Sequence, residues 1–438
     1  MNAALESLRG QFARRGGALP GNASIGEKRK RAFEEFIARG LPTTAEEDWK
    51  YTSLAALEEQ SLALPEAVDV ATAMAAVERY AVEGLDGPRL VFVNGELIPP
   101  ACQLDGIEGL EMTSLGYALE QGPGAETLDQ VVDIDRYRFA RLNTALFIDG
   151  AHLRVARDTV IEKPVYLLFI TLGDDTPRLI QPRVLIEAER GAKMTVIEHF
   201  CGEGPAALVN TVTEVLAQPA SELTHYRIQE QADTHTHIAS LNARVARDAR
   251  VVCHNIDFGG ALVRNDVHAR LVESGAHVEL NGLYFTTGRG HVDNHTRIDH
   301  LAAHTTSRED YRGVLDGRSR AVFNGRVLVA EDAQKIEAHQ SNNNLLLSRD
   351  CEIDTKPELE IYADDVICSH GATVGQLDET ALFYLRSRGL DAETARGLLT
   401  FAFAEAVIMR LGIEALQSRL SRTVIGRLPD SDRLREFT

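Results

Sequence analysis

Two residues near the end of a long β-patterned region have the types and the spacing to bind a soft metal. Cys368 and His370 stand two apart in Cys368-Ser369-His370-Gly371-Ala372-Thr373-Val374-Gly375. On an extended strand, side chains at i and i+2 point to one face. A thiolate and an imidazole both suit iron. Two ligands cannot close a tetrahedral site, so either the pair is structural or another chain supplies the rest. Buried cysteine is common in protein cores, which gives the structural reading its weight.

Other candidates are weaker. His291, His295, His300 and His304 lie close together in sequence, but Gly288 and Gly290 precede them and the segment has strand and turn chemistry. A polar face of a sheet is expected there, not the helical i,i+4 pair that chelates a metal. His235 and His237 share one strand face without a third ligand. The cysteines (Cys102, Cys201, Cys253, Cys351, Cys368) are odd in number and widely spaced, with no CxxC, so neither a disulfide framework nor a self-contained cluster site is expected. No P-loop, dinucleotide fingerprint or nucleophile elbow occurs. If ATP drives this protein's work, another chain hydrolyses it. Asp293 and Asp364-Asp365 are the carboxylates available to a carbohydrate-active β-helix enzyme. Adjacent aspartates on a strand, however, face opposite sides.

The net charge of −19 argues against nucleic acid and against anionic lipid surfaces as partners. No apolar run of membrane-spanning length and no basic-then-apolar leader is present, so the cytoplasm is the expected compartment.

Three regions must position these residues. Residues 1–145 read as a mainly helical domain. Within it residues 27–38 and 71–80 are helical, Asn94-Gly95 is a hairpin turn after a short strand, and Gly122-Pro123-Gly124 is a loop. Residues 146–372 are short alternating β-runs with recurring turns at Gly191-Ala192, Pro219-Ala220, Asp248-Ala249 and Gly275-Ala276, in steps of 28, 29 and 27 residues. A period near 28 marks units too short to bury their own faces, which therefore stack. The expected fold is mostly β: a parallel β-helix, or solenoid, with helical domains at both ends, the alternative on the turn pattern being a large β-sandwich or barrel. Gln340 to Asn344 suggests an amide ladder along its axis. Residues 373–438 return to helix, with Asp378 and Asp391 as N-caps and Gly389 and Gly412 as stops. The middle helix is apolar on nearly all sides and must be sandwiched.

Longer motifs then point to a family. Ile353-Asp354-Thr355-Lys356-Pro357-Glu358-Leu359-Glu360-Ile361, the Cys368–Gly375 stretch, and Leu382-Phe383-Tyr384-Leu385 with Arg388-Gly389-Leu390 resemble the C-terminal signature of the SufB/SufD family. Glu46-Glu47-Asp48-Trp49-Lys50-Tyr51-Thr52 resembles a motif of its SufD branch. Ile361 stands where the SufB branch has a cysteine. The resemblance implies a right-handed parallel β-helix that pairs with a SufB-like subunit and docks a SufC-like ABC ATPase on the C-terminal helices. It also implies a non-catalytic scaffold role in iron–sulfur cluster assembly. His370 would be a ligand to a transient Fe–S cluster shared with SufB, Cys368 a second candidate, and the isolated chain would hold no cofactor. The alternatives are a structural homodimeric solenoid without a metal role and the carbohydrate-active enzyme above.

Overall fold

Alternating short β-runs with small or left-handed residues between them build a stacked coil, because each strand exposes two backbone edges that only a neighbouring coil can satisfy. The computed structural model describes residues 2–104, 106–122, 126–173, 176–429 and 431–434. Of the expected loop at 122–124, Pro123 and Gly124 lie outside them. The centre is a parallel β-solenoid of about 8 turns. Successive strands alternate between two sheets, so that Leu262–Leu271 pairs with Thr236–Val245 and His291–His300 in one sheet. In the other, His277–Thr286 pairs with Arg250–Phe258 and Thr306–Leu315.

One corner of every coil repeats the same device. Gly191, Ala220, Asp248, Gly275, His304 and Lys335 all have φ between 55° and 77°. Each donates its N–H to a carbonyl of the next coil, for example Asp248 to Ser274 and Gly275 to His304. The following residue (Ala192, Ser221, Ala249, Ala276, Thr305) is fully buried. Small side chains fill five of these corners, whereas Ile336 is buried after Lys335 at the last one. The steps are 29, 28, 27, 29 and 31 residues. The expected pair Pro219-Ala220 is therefore offset by one, because Ala220 itself takes the left-handed position.

Inside, coils interlock. Gly282 faces Tyr311 and Tyr284 faces Gly313 in register. A Cβ at either glycine would collide with the facing ring. The expected amide ladder does not form. Asn342 and Asn344 point inward, but they face Tyr311 and Gly313 on one side and Ala372 and Val374 on the other. Their amides bond along the strand, Asn344 Nδ2 donating to Asn342 Oδ1 at 2.6 Å, and otherwise to Tyr284, Thr355 and the Thr373 carbonyl. The stacked amides are elsewhere, at Asn265 and Asn294, joined at 2.8 Å.

The N-terminal helices include α1 (Ala3–Arg15), α2 (Ala23–Arg39), α3 (Ala55–Glu58), α4 (Val70–Tyr80), α5 (Leu115–Gln121) and α6 (Arg138–Leu146). Phe36, Trp49, Phe139 and Leu142 pack on the outer side of the first sheet through Leu208 and Ile238. Two antiparallel pieces close this end of the solenoid. Glu96–Leu97 pairs with Arg89–Val93 across the Asn94-Gly95 turn, and Leu110–Ser114 pairs with Gly150–Val155. Antiparallel additions stop further parallel stacking.

After the last coil come α7 (Glu379–Ser387), α8 (Ala392–Ile408), α9 (Glu414–Gly426) and α10 (Ser431–Leu434). Asp378 and Asp391 accept from the Thr380 and Thr394 N–H groups at 2.8 and 2.9 Å, as their N-cap positions predict. Phe401, Ala404, Val407 and Ile408 of α8 are buried between α9 and the outward residues Leu283, Phe285 and Val314 of the second sheet. The apolar circumference is thus used within the chain on most of its extent.

Candidate functional site

Among the described residues, no strand closes the far end of the solenoid. Glu352–Ile361 ends one sheet and Val366–Gly375 ends the other, each with a neighbour on one edge alone. Pro357 lies within the first of these strands. A proline lacks the N–H that a central strand must donate, so it belongs on an edge.

Cys368 and His370 both lie on the terminal strand Val366–Gly375, in register with Ala338 and Gln340 of the coil below. Ala338, Gln340, Asn342 and Asn344 are buried. The terminal residues above them, Cys368, His370, Ala372 and Val374, therefore continue the inward-facing columns with no coil on top. Ser369 points the other way and bonds to His339 Nδ1 at 2.7 Å. The two candidates share a face, as their spacing requires, but their surroundings differ. Cys368 is half-buried, packed with Leu359 and Val366 against Val329 and Ala338. Burial pushes its thiol up. His370 is exposed. Ile361 stands at the end of the facing strand, 39% exposed, beside Tyr362 at 63%. Ile367 (67%), Val374 (49%) and, on α7, Phe383 (73%) leave further apolar surface at this end. An apolar patch of this kind on an open edge marks an interaction surface.

Among the described residues, no group of three or more His, Cys, Asp or Glu side chains is placed to hold a metal ion. The histidines of 291–304 diverge. His291 contacts Thr52 at 3.2 Å and His295 contacts Asp293 at 3.0 Å, both on the outer face. His300 points inward to Thr305 and Ser307. His304 forms a turn. His237 is buried against Gln231, and His235 lies in the turn before its strand, so the expected shared strand face is absent. Asp293 is sealed by Arg264 and Thr52, which removes it from any carbohydrate-cleaving pair.

Sequence reasoning missed two arrangements. The first is a clasp. Trp49 lies 4.2 Å from the Arg264 guanidinium, and Arg264 donates to the Asp48 carbonyl and to Asp293, each at 2.7 Å. Glu47 pairs with Lys356 at 2.9 Å. The two family-like motifs, some 300 residues apart in sequence, thus touch along a cleft of about 470 Å³. The second is an inward column beneath His370. Gln340 Nε2 donates to Glu309 at 2.6 Å. Burial lifts the Glu309 carboxyl from 4.5 to about 7.

The column has a measurable consequence. A carboxyl whose folded pKa is raised favours folding fully below its ordinary value, and that contribution is lost as pH rises to the folded value. Between pH 5 and 8, Glu309 therefore costs wild type about 2–3 kcal/mol that Glu309→Gln does not lose. Urea midpoints of the two proteins at both pH values check this; parallel pH dependence would contradict it.

The architecture is a helix-flanked parallel β-solenoid, closed at one end and open at the other, with an imidazole at the open rim. Residues 169–403 match the family model for the SUF system FeS cluster assembly SufBD core domain, and residues 21–167 match that for the SufBD protein N-terminal region. The chain is 32% identical over 405 residues to the iron–sulfur cluster assembly protein SufD of Escherichia coli K12, covering 92% of each. It is 32% identical over 410 residues to an iron–sulfur cluster assembly SufBD family protein of Synechocystis, covering 91% of this chain and 90% of that one. It is 26% identical over 294 residues to the SufD protein of Bacillus subtilis, covering 66% of each. The chain belongs to the SufBD family and serves iron–sulfur cluster assembly by the SUF system.

Proposed function

We propose that this chain is a non-catalytic scaffold subunit, which pairs its open solenoid end with a SufB-like partner and lends His370 to a nascent cluster at the shared rim. The observation that carries the reading is the asymmetry of the solenoid. One end is closed by antiparallel strands, and the other leaves two strand edges, apolar side chains and an exposed imidazole unpartnered. Open edges recruit strands from other chains. The cluster is cargo here, not a resident cofactor. An imidazole at an exposed rim gives one bond to iron and leaves the other ligands to the partner, which suits a cluster that must leave. Cys368 is the second candidate ligand; its raised pKa means that a partner or iron must draw the proton off first. A SufC-like ABC ATPase would dock on the C-terminal helices, where Phe383 and Tyr384 of α7 are exposed. No helix among the described residues is long and apolar enough to cross a membrane, in keeping with work in the cytoplasm.

The pairing is tested at the edge. Lysine on a strand edge opposes intermolecular pairing. Ile367→Lys with Val374→Lys is expected to weaken binding of a SufB-like partner by tenfold or more, about 1.4 kcal/mol, with an unchanged thermal midpoint for the isolated chain. Unchanged affinity would place the interface elsewhere. Loss of self-association alone would favour the structural homodimer.

A further inference from the structure

His370 is the last residue of an inward column whose lower members are fixed. Glu309, fully buried, accepts from Gln340 Nε2 at 2.6 Å. Gln340 is 4% exposed, and across the solenoid Gly325 makes room for it, since a Cβ there would collide with the Gln340 amide. Because Glu309 takes the amide nitrogen, the amide oxygen is turned away from it. That oxygen, Oε1, is buried and has no hydrogen-bond partner among the described residues. A buried acceptor left unsatisfied is costly, and a native fold keeps one for a reason. The residue directly above Gln340 in register is His370.

We infer that Gln340 is a positioning residue for His370, an inference that rests on His370 being a cluster ligand. When a partner covers the rim and folds the imidazole over the column, Gln340 Oε1 accepts the N–H of one ring nitrogen. A neutral imidazole has one N–H and one lone pair, so this bond fixes the tautomer and leaves the lone pair of the other nitrogen for iron. Histidines that bind metals usually donate their second N–H in this way, and loss of the acceptor lowers metal affinity 10–100-fold. Glu309 sets which end of the amide faces upward, and Gly325 sets how far it reaches. Neither touches iron.

The test uses the complex of the full chain with its SufB-like and SufC-like partners, loaded with iron and sulfide and challenged with an iron chelator. Gln340→Met keeps the volume and removes the acceptor. It should lower retained iron affinity 10–100-fold, and adding it to His370→Ala should cause no further loss. The exchange Glu309→Gln with Gln340→Glu restores an oriented acceptor and should return affinity to within about threefold of wild type. A merely structural role would not couple to His370. The inference is overturned if Gln340→Met retains iron as wild type does, or if the exchange variant assembles and still loses it. If Gln340→Met fails to assemble, the exchange variant decides alone. If His370→Ala itself loses no iron, the ligand reading fails first.

Discussion

Arg264→Leu should destabilise the chain by about 3–5 kcal/mol, because it strands buried carboxylates. Arg264 is 1% exposed and bonds to Asp293, itself 1% exposed, and to Asp266. Burial alone would push the Asp293 carboxyl up. Arg264, His295 and Thr52 outweigh it and hold that carboxyl well below the usual range. A depressed carboxyl contributes stability above its ordinary pKa and loses it as pH falls through the folded value. Without the guanidinium the same burial works against the charge, so the variant should gain relative to wild type on mild acidification. Adding Asp293→Asn should recover part of the loss. The chain's single tryptophan, Trp49, stacks on Arg264, so its fluorescence reports the clasp directly during urea unfolding. A loss under about 1 kcal/mol, in the range of exposed ion pairs, would mean that the clasp does not hold the N-terminal segment to the solenoid.

The clasp brings two motifs far apart in sequence into contact. Asp48 and Trp49 hold Arg264, Thr52 bonds to Asp293 at 2.5 Å, and Glu47 reaches Lys356 on a terminal strand. Covering the outer face this way also occupies His291. A histidine-rich stretch that suggests metal in sequence is polar packing in space.

Much of the fold was legible in local chemistry. The N-caps at Asp378 and Asp391, the Asn94-Gly95 turn and the stop at Gly412 each depend on a few neighbouring residues, and each is found where its pattern predicts. The coil period was legible because the left-handed corner recurs, though Ala220 shows that the pair containing it can be misread by one residue. What was hidden depends on register across coils. Steps between corners vary from 27 to 31 residues, so no fixed period places Gln340 over Glu309 or His370 over Gln340. The same drift defeated the amide ladder, since Asn342 and Asn344 meet Tyr311 and Gly313. The open rim left one sign in the sequence, Pro357, whose missing N–H marks an edge strand. The contrast between half-buried Cys368 and exposed His370 left none, because it depends on Leu359 from the facing strand.

The second large effect concerns the rim itself. His370 is the exposed imidazole on the terminal strand, and Cys368 beside it packs in an apolar cluster. If the cluster is shared across the interface, His370→Ala removes one of its few ligands while leaving the fold untouched, since that side chain is exposed. Cys368→Ala should cost less iron, and its effect on stability should stay near that of trimming a half-buried apolar side chain, about 1 kcal/mol. The decisive measurement is iron and acid-labile sulfide in the complex co-purified with SufB-like and SufC-like partners, wild type against His370→Ala. A shared-site scaffold gives an intact complex with its iron and sulfide down at least tenfold, whereas an intact complex with undiminished iron would reduce His370 to a surface residue and this subunit to architecture.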